Sequence, residues 1–301
     1  MGYVYMASAL VCWTALAFAY RWAERAKANR LYMSAAIGAS AVLWALVFSF
    51  MGGLDLAGTG WGQIIVACIA GVGFVAVIPV FLAAVARGDI AISWMLLTLS
   101  FAFASALMMI YPGERPTLMS LTGLSLVAGA VVLLGLDMRE RHRTNHPRKP
   151  KKGWILFMSL SFVGNGLSQY AFKLATSLRG DELPAAASLA QNVGYLFFFY
   201  ATVLTVGLTA ALVFSRRRPH PATLWSGATI GTLLFLGGLA VLQALSVGRV
   251  PGHVFFPATS GGSSILVVVI SVIVLKEPPG RFGWAGIILG AAALTILGLA
   301  A

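Results

Sequence analysis

The sequence predicts an all-α integral membrane protein, ten transmembrane helices arranged as two inverted five-helix repeats. Three observations predict it. The 301 residues are 59% hydrophobic and only 10% charged, whereas soluble domains are about a quarter charged. A helix needs roughly 20 apolar residues to cross a hydrocarbon core, and ten such stretches use up most of the chain. Finally, the stretch that closes the first half returns at the end of the second.

The spans fall near residues 3–20, 31–51, 62–84, 91–110, 117–136, 154–172, 187–214, 223–245, 254–275 and 283–300. The first has no basic leader and is followed by charge at Tyr20-Arg21, so it reads as a retained helix rather than a cleaved signal. Pro79 predicts a kink in the third. The seventh is long enough to tilt or to extend beyond the bilayer. Pro257 and Gly261-Gly262 predict an irregular ninth helix, which is tolerated at membrane depth only where it is buried or lines a cavity. Cys12 and Cys68 fall inside spans and read as small apolar packers.

The connections are short except one. Residues 139–152 are polar, basic and punctuated by proline, and read as a cytoplasmic linker between repeats at 1–138 and 153–301. The net charge of +12 does not point to nucleic acid, because the basic residues sit in loops between apolar spans. All but four of the 21 Lys and Arg residues fall on the side of the odd-numbered connections; Arg115, Lys173, Arg179 and Arg249 fall on the other. The positive-inside rule makes the first side cytoplasmic. Both termini of this multi-pass protein of the plasma (inner) membrane are then non-cytoplasmic.

The repeat is read from Leu121–Leu136 set over Trp284–Leu299. Gly123 falls on Gly286, Leu126 on Leu289, Ala128 on Ala291, Ala130 on Ala293, and Leu134-Gly-Leu136 on Leu297-Gly-Leu299. In the same register Glu114 falls on Glu277. Five spans per repeat is an odd number, so the halves enter the membrane in opposite directions, as in many secondary transporters.

Two five-span repeats, a penultimate helix of small residues, the Lys276-Glu277-Pro278 turn and a glycine-rich last helix resemble the drug/metabolite transporter superfamily, in its EamA-like branch. The resemblance implies a central cavity lined mainly by the third, fourth, eighth and ninth helices, with the first and sixth contributing. It alone would put both termini in the cytoplasm; the charge bias puts them outside, and that orientation is adopted. Small multidrug-resistance relatives carry a carboxylate in the first helix. Here that region reads Val11-Cys12-Trp13-Thr14, and all nine acidic residues lie at or beyond span ends.

Candidate cavity residues follow from polar groups in apolar spans, which face the protein interior or a wet cavity. On the sixth helix Ser161, Asn165, Gln169 and Lys173 recur every fourth residue and form one stripe, with Tyr170 beside it. Asn165 and Gln169 read either as substrate contacts or as hydrogen-bonded glue between helices. Lys173 reads as an anion-attracting cation or as a side chain snorkelling to the interface. On the seventh helix Gln191-Asn192, Tyr195, Phe199 and Thr202 make an aromatic and polar stripe. In the fourth, Trp94, Thr98, Phe101 and Ser105 would share a face of a continuous helix. Its repeat counterpart, the ninth, carries Thr259, Ser260, Ser263 and Ser264, and Trp13 on the first helix completes the set. Gly286 and Gly290 read as a dimer face or as packing within the chain.

These readings predict a secondary transporter that moves a small amphipathic organic metabolite, amino-acid-like or an organic anion, by alternating access around a central cavity. The alternative is a multidrug or cationic-compound exporter of the same fold. Four histidines without a partnering acid at motif spacing argue against an enzyme. No catalytic residue, metal site or cofactor is expected. The expected partners are a small-molecule substrate and the bilayer, without nucleic acid, for a monomer or homodimer.

Overall fold

The computed structural model describes residues 2–50, 55–56, 58–88, 90–110, 117–143, 152–178, 185–215, 219–248, 252–274, 276 and 279–299. Among them all regular structure is helical. The helices are α1 (Gly2–Arg25), α2 (Arg30–Phe50), α3 (Trp61–Val85), α4 (Ile90–Thr98), α5 (Phe101–Ile110), α6 (Leu118–Arg143), α7 (Trp154–Ser177), α8 (Ala185–Phe214), α9 (Pro221–Ser246), α10 (Gly252–Ile273) and α11 (Arg281–Leu299). Five of them, α1, α2, α3, α8 and α9, are long and apolar enough to cross a membrane by length and composition. This is an α-helical membrane protein.

Each predicted apolar stretch overlaps a helix, with three differences. The predicted fourth span breaks into α4 and α5 at Leu99-Ser100, where no Gly or Pro stands. The ninth does not break: α10 runs as one helix through Gly261-Gly262. The basic stretch 139–152 begins inside α6, which continues to Arg143; residues 144–151 lie outside the described ones, as do Glu114 and Glu277. At 30 residues, α8 is about 45 Å long at 1.5 Å per residue, longer than the hydrocarbon core.

The chain divides into two compact units, residues 1–79 with 171–250, and residues 80–170 with 251–301. Each draws on both halves of the sequence.

In the first unit α2 packs on α8 and α9, and α1 packs on α9. Small residues let the backbones approach. A Cβ on Gly231 would stand 2.5 Å from the Ile37 carbonyl, and one on Gly207 would stand 3.0 Å from the Ala35 nitrogen. Polar groups then bridge the helices, since lipid offers them no partner. Ser40 donates to the Ala228 carbonyl at 2.9 Å, and Trp44 Nε1 donates to Thr232 Oγ1 at 2.9 Å. Asn29 precedes α2 and accepts from the Leu31 amide at 3.1 Å, while its side-chain amide donates to Ser215 Oγ at 2.8 Å. Gln63 Nε2 on α3 donates to the Ala175 carbonyl on α7 at 2.9 Å.

In the second unit α6 packs along α11, and α10 packs on α11 and α4. Gly286 faces this packing: its Cβ would meet Leu134 Cγ at 2.9 Å, and Gly290 faces Met95 and Ala130. Both glycines therefore serve packing within the chain. The buried Asp137, on α6, caps α11. Its carboxylate accepts from the Gly283 amide at 2.9 Å and the Gly280 amide at 3.4 Å. A helix begins with unsatisfied N–H groups and a positive dipole end, and a carboxylate from a neighbouring helix meets both.

Candidate functional site

The break between α4 and α5 lies in the second unit and gathers buried polar groups, Thr98 and Ser100 among them. Its local cause is hydroxyl chemistry. Thr98 Oγ1 donates to the Met95 carbonyl at 2.9 Å and Ser100 Oγ to the Leu97 carbonyl at 2.6 Å, each three residues back. Such bonds offer the backbone an alternative to the regular ladder. The backbone tightens with them: the Ser100 amide bonds Leu97 at 3.2 Å, and the Ala102 and Phe103 amides bond Leu99 and Ser100 at 3.0 Å, again three residues back.

The other half of the cause comes from α7, which bonds α4 near its start and at its end. Trp154 Nε1 donates to Ser93 Oγ at 3.1 Å near the start of both. Further along, Asn165 Nδ2 donates to the Leu97 carbonyl at 3.1 Å and to Ser100 Oγ at 2.8 Å. One turn on, Gln169 Nε2 donates to Ser100 Oγ at 3.3 Å. The approach is close because residue 166 is glycine. A Cβ there would stand 2.8 Å from both the Ser100 carbonyl and Phe103 Cδ1.

A hydroxyl donates once and accepts twice, and a side-chain amide donates twice. Ser100 is therefore fully used, and both donors of Asn165 are spent holding the break. Gln169 is not fully used: its Oε1 is buried and has no hydrogen-bond partner among the described residues. Trp94, on α4, is 3% exposed, and its Nε1 likewise has no partner among the described residues. Its ring lies 6.2 Å from that of Phe81. Thr98 Oγ1 sits 2.5 Å from Ser264 Oγ of α10. Among the described residues Trp94 on α4 thus leaves a donor unengaged, and Gln169, beside the break, an acceptor.

The remaining predicted residues divide between the units. In the second, Thr259, Ser260 and Ser263 are buried on α10, but Thr259 donates to the Phe255 carbonyl at 2.8 Å and Ser263 to the Ser260 carbonyl at 3.1 Å. Their donors serve their own helix. Tyr170 is half-buried at the last position of this unit's stretch of α7. Phe101 is buried, but the break places it on α5, so the predicted continuous face ends at Thr98; the Ser105 side chain is outside the described ones.

In the first unit Tyr195 is 1% exposed. Its ring is 5.9 Å from Phe172 and stacks on Phe199 at 6.4 Å, and its hydroxyl has no partner among the described residues. Gln191, one turn earlier on α8, has an unpartnered Oε1 in the same sense. Lys173 is half-buried on α7. Trp13 packs against α9, its ring carbon 3.1 Å from where a Cβ on Gly237 would stand.

No family model and no curated protein matches the chain in sequence. A solved crystal structure of a protein matches in fold, with a TM-score of 0.65 at 15% identity, covering 99% of this chain and 98% of that one. The likeness is one of fold, and it extends over the whole chain.

The sequence pattern misses two residues that build the break. Ser100 and Gly166 belong to no stripe of polar residues. Their only signal is a hydroxyl and a small residue in apolar runs, which is common in membrane helices.

Proposed function

We propose that the chain is a secondary transporter of the drug/metabolite type, EamA-like, with ten spans in two inverted repeats. In this reading it carries a small amphipathic metabolite across the cytoplasmic membrane by alternating access, with both termini on the non-cytoplasmic face. The pairing of helices supports the repeat. Within the units α2 packs on α8, α4 on α10 and α6 on α11; these are the second and seventh, fourth and ninth, and fifth and tenth predicted spans. The packing of the first span on the eighth, α1 on α9, has its counterpart in the Gln63–Ala175 bond between the third and the sixth.

The observation that carries the reading is the broken fourth helix. Irregular backbone at membrane depth is tolerated where it is buried or lines a cavity, and broken helices form the substrate sites of many transporters. Here Trp94 offers a donor and an aromatic face, and Gln169 offers an acceptor. A substrate with a hydrogen-bond acceptor, a donor and an apolar body satisfies all three.

The test is flux into proteoliposomes, screened over amino acids, sugars and organic anions. An amphipathic amino acid or organic acid is expected to move, and Gln169→Leu or Trp94→Phe to abolish its flux. Absence of flux from every class, or undiminished flux in both variants, would overturn the reading.

A further inference from the structure

The first unit holds a feature that the transport reading does not use. Between the first turns of α1 and the last turns of α9 lies an open groove of about 1110 Å³, just above the range of roughly 300–1,000 Å³ usual for small-molecule pockets. Val4 and Val11 of α1, Phe48 of α2, and Leu236 and Leu239 of α9 are among the apolar residues of its wall. No Lys, Arg, Asp or Glu lines it among the described residues.

One buried polar group in this wall is unpartnered among the described residues. Gln243 is 4% exposed, yet its Nε2 has no hydrogen-bond partner among the described residues. Of the groove's hydroxyls, Ser8 is spent on the Val4 carbonyl at 2.9 Å, and those of Tyr3 and Tyr5 also line it. The backbone of Gln243 is also satisfied, accepting from the Val247 and Gly248 amides at 2.9 Å. A buried donor left without an acceptor is costly, so the site asks for an oxygen that accepts. It does not ask for a charge: a charged ligand would meet no counter-ion among the wall residues described.

The groove also has a depth. Gln243 stands one turn inside the end of α9 at Ser246, and Tyr3 is 84% exposed on the first turn of α1. Exposed tyrosine at a helix end belongs to the membrane–water boundary, and the ester groups of lipids lie there. Val4 and Val11, 64% and 63% exposed, continue the apolar wall inward along α1, which is long and apolar enough to span.

We propose that this groove holds a bilayer lipid. Its acyl chain lies along Val4, Val11, Leu236 and Leu239, and its ester carbonyl accepts from Gln243 Nε2.

The test uses the full chain in phosphatidylcholine vesicles containing a trace of phosphatidylcholine with a photoactivatable diazirine in its acyl chain. After irradiation the labelled peptides are mapped by mass spectrometry. Label is expected to concentrate on residues 2–12 and 236–247 over the exposed apolar face of α11 at Trp284 and Ile288. Gln243→Leu is expected to lower that label about fivefold, the occupancy change that losing one neutral hydrogen bond brings, with label on α11 unchanged. Val11→Trp, at an exposed position, fills the groove by bulk and is expected to remove the label without touching Gln243. Label spread evenly over all apolar faces, or undiminished in both variants, overturns the proposal. None of these readouts depends on transport.

Discussion

Asn165 donates its side-chain amide to the Leu97 carbonyl across 3.1 Å, at the point where α4 ends. In a hydrocarbon environment a carbonyl released from the helical ladder has no water to turn to. The Leu97 carbonyl accepts from Ser100 Oγ and the Ser100 amide; Asn165 adds a third donor from a helix 68 residues away in sequence, and its second hydrogen goes to Ser100 Oγ. Asn165 is thus part of the scaffold that keeps the break open, while Gln169 keeps its oxygen unengaged.

That division predicts opposite phenotypes for neighbouring amides. Asn165→Ala removes two hydrogen bonds at the break, a cost of about 1–3 kcal/mol at roughly 0.5–1.5 kcal/mol each. Gln169→Leu gives up one bond of 3.3 Å and removes a buried oxygen that has no partner among the described residues, so stability should change by less than about 1 kcal/mol. Thermal denaturation in detergent reads the first effect. Substrate-induced stabilisation, lost in Gln169→Leu with the melting temperature kept, reads the second. Equal melting losses in the two variants would erase the distinction.

Glycine at 166 is required by contact. An added methyl would meet the Ser100 carbonyl, a backbone atom that cannot swing aside, at 2.8 Å. Gly166→Ala should cost about 1–3 kcal/mol by overpacking, and Gly166→Val more. Gly73 on α3 is the control, since nothing lies within 4 Å of its would-be Cβ. Gly73→Ala should be neutral or stabilising by up to about 1 kcal/mol. A Gly166→Ala protein that melts with the wild type would show that α7 does not rest on the break.

How much of this was legible in the sequence depends on the range of the forces involved. Helix positions follow from runs of apolar residues, a local signal, and each predicted stretch overlaps a helix. Pro257 and Gly261-Gly262 predict an irregular ninth helix. There α10 stays regular, because a helix packed in the unit's interior against α4 and α11 tolerates glycine. The actual break at Leu99-Ser100 rests on Ser100 meeting Asn165 from 65 residues away, which no window of sequence displays. The stripe of Asn165, Gln169 and Lys173 was visible as a period of four. Which amide is spent and which is open was not, since that turns on the capacity of one hydroxyl, Ser100, at the break between α4 and α5. The hydroxyls of α10 were legible as a set, but the pattern does not tell a free hydroxyl from one bonded to its own turn, as Thr259 and Ser263 are.

The two acids at the end of α6 should differ sharply in weight. Asp137 is 1% exposed and holds the amides of Gly280 and Gly283, so Asp137→Ala uncaps α11 and strands buried donors. The expected loss is about 1–2 kcal/mol, in the range of a lost helix cap. Glu140 pairs with Arg281 at 2.7 Å, but the arginine side chain is 77% exposed. Exposed pairs contribute about 0–1 kcal/mol and weaken with salt. Melting curves of Asp137→Ala and Glu140→Ala at low and high salt check both statements. A larger loss for Glu140→Ala than for Asp137→Ala would contradict the capping role.

The hydroxyl pair of Thr98 and Ser264, 2.5 Å apart, ties α4 to α10 next to the break. Thr98→Val keeps the shape of the side chain and removes its hydroxyl, and Ser264→Ala removes the partner. Each single change leaves one buried hydroxyl without its cross-helix mate, whereas the double change leaves none. The double-mutant cycle should therefore show coupling in the sense that the second mutation costs less after the first. Its size is expected at about 0.5–1.7 kcal/mol, the range found for hydrogen bonds between membrane helices. Because Thr98 also donates to the Met95 carbonyl, part of the Thr98→Val loss remains in the double variant, and it should be less stable than Ser264→Ala alone. Additive losses would mean that the two hydroxyls do not share a bond, and that α10 is held to α4 by apolar packing alone.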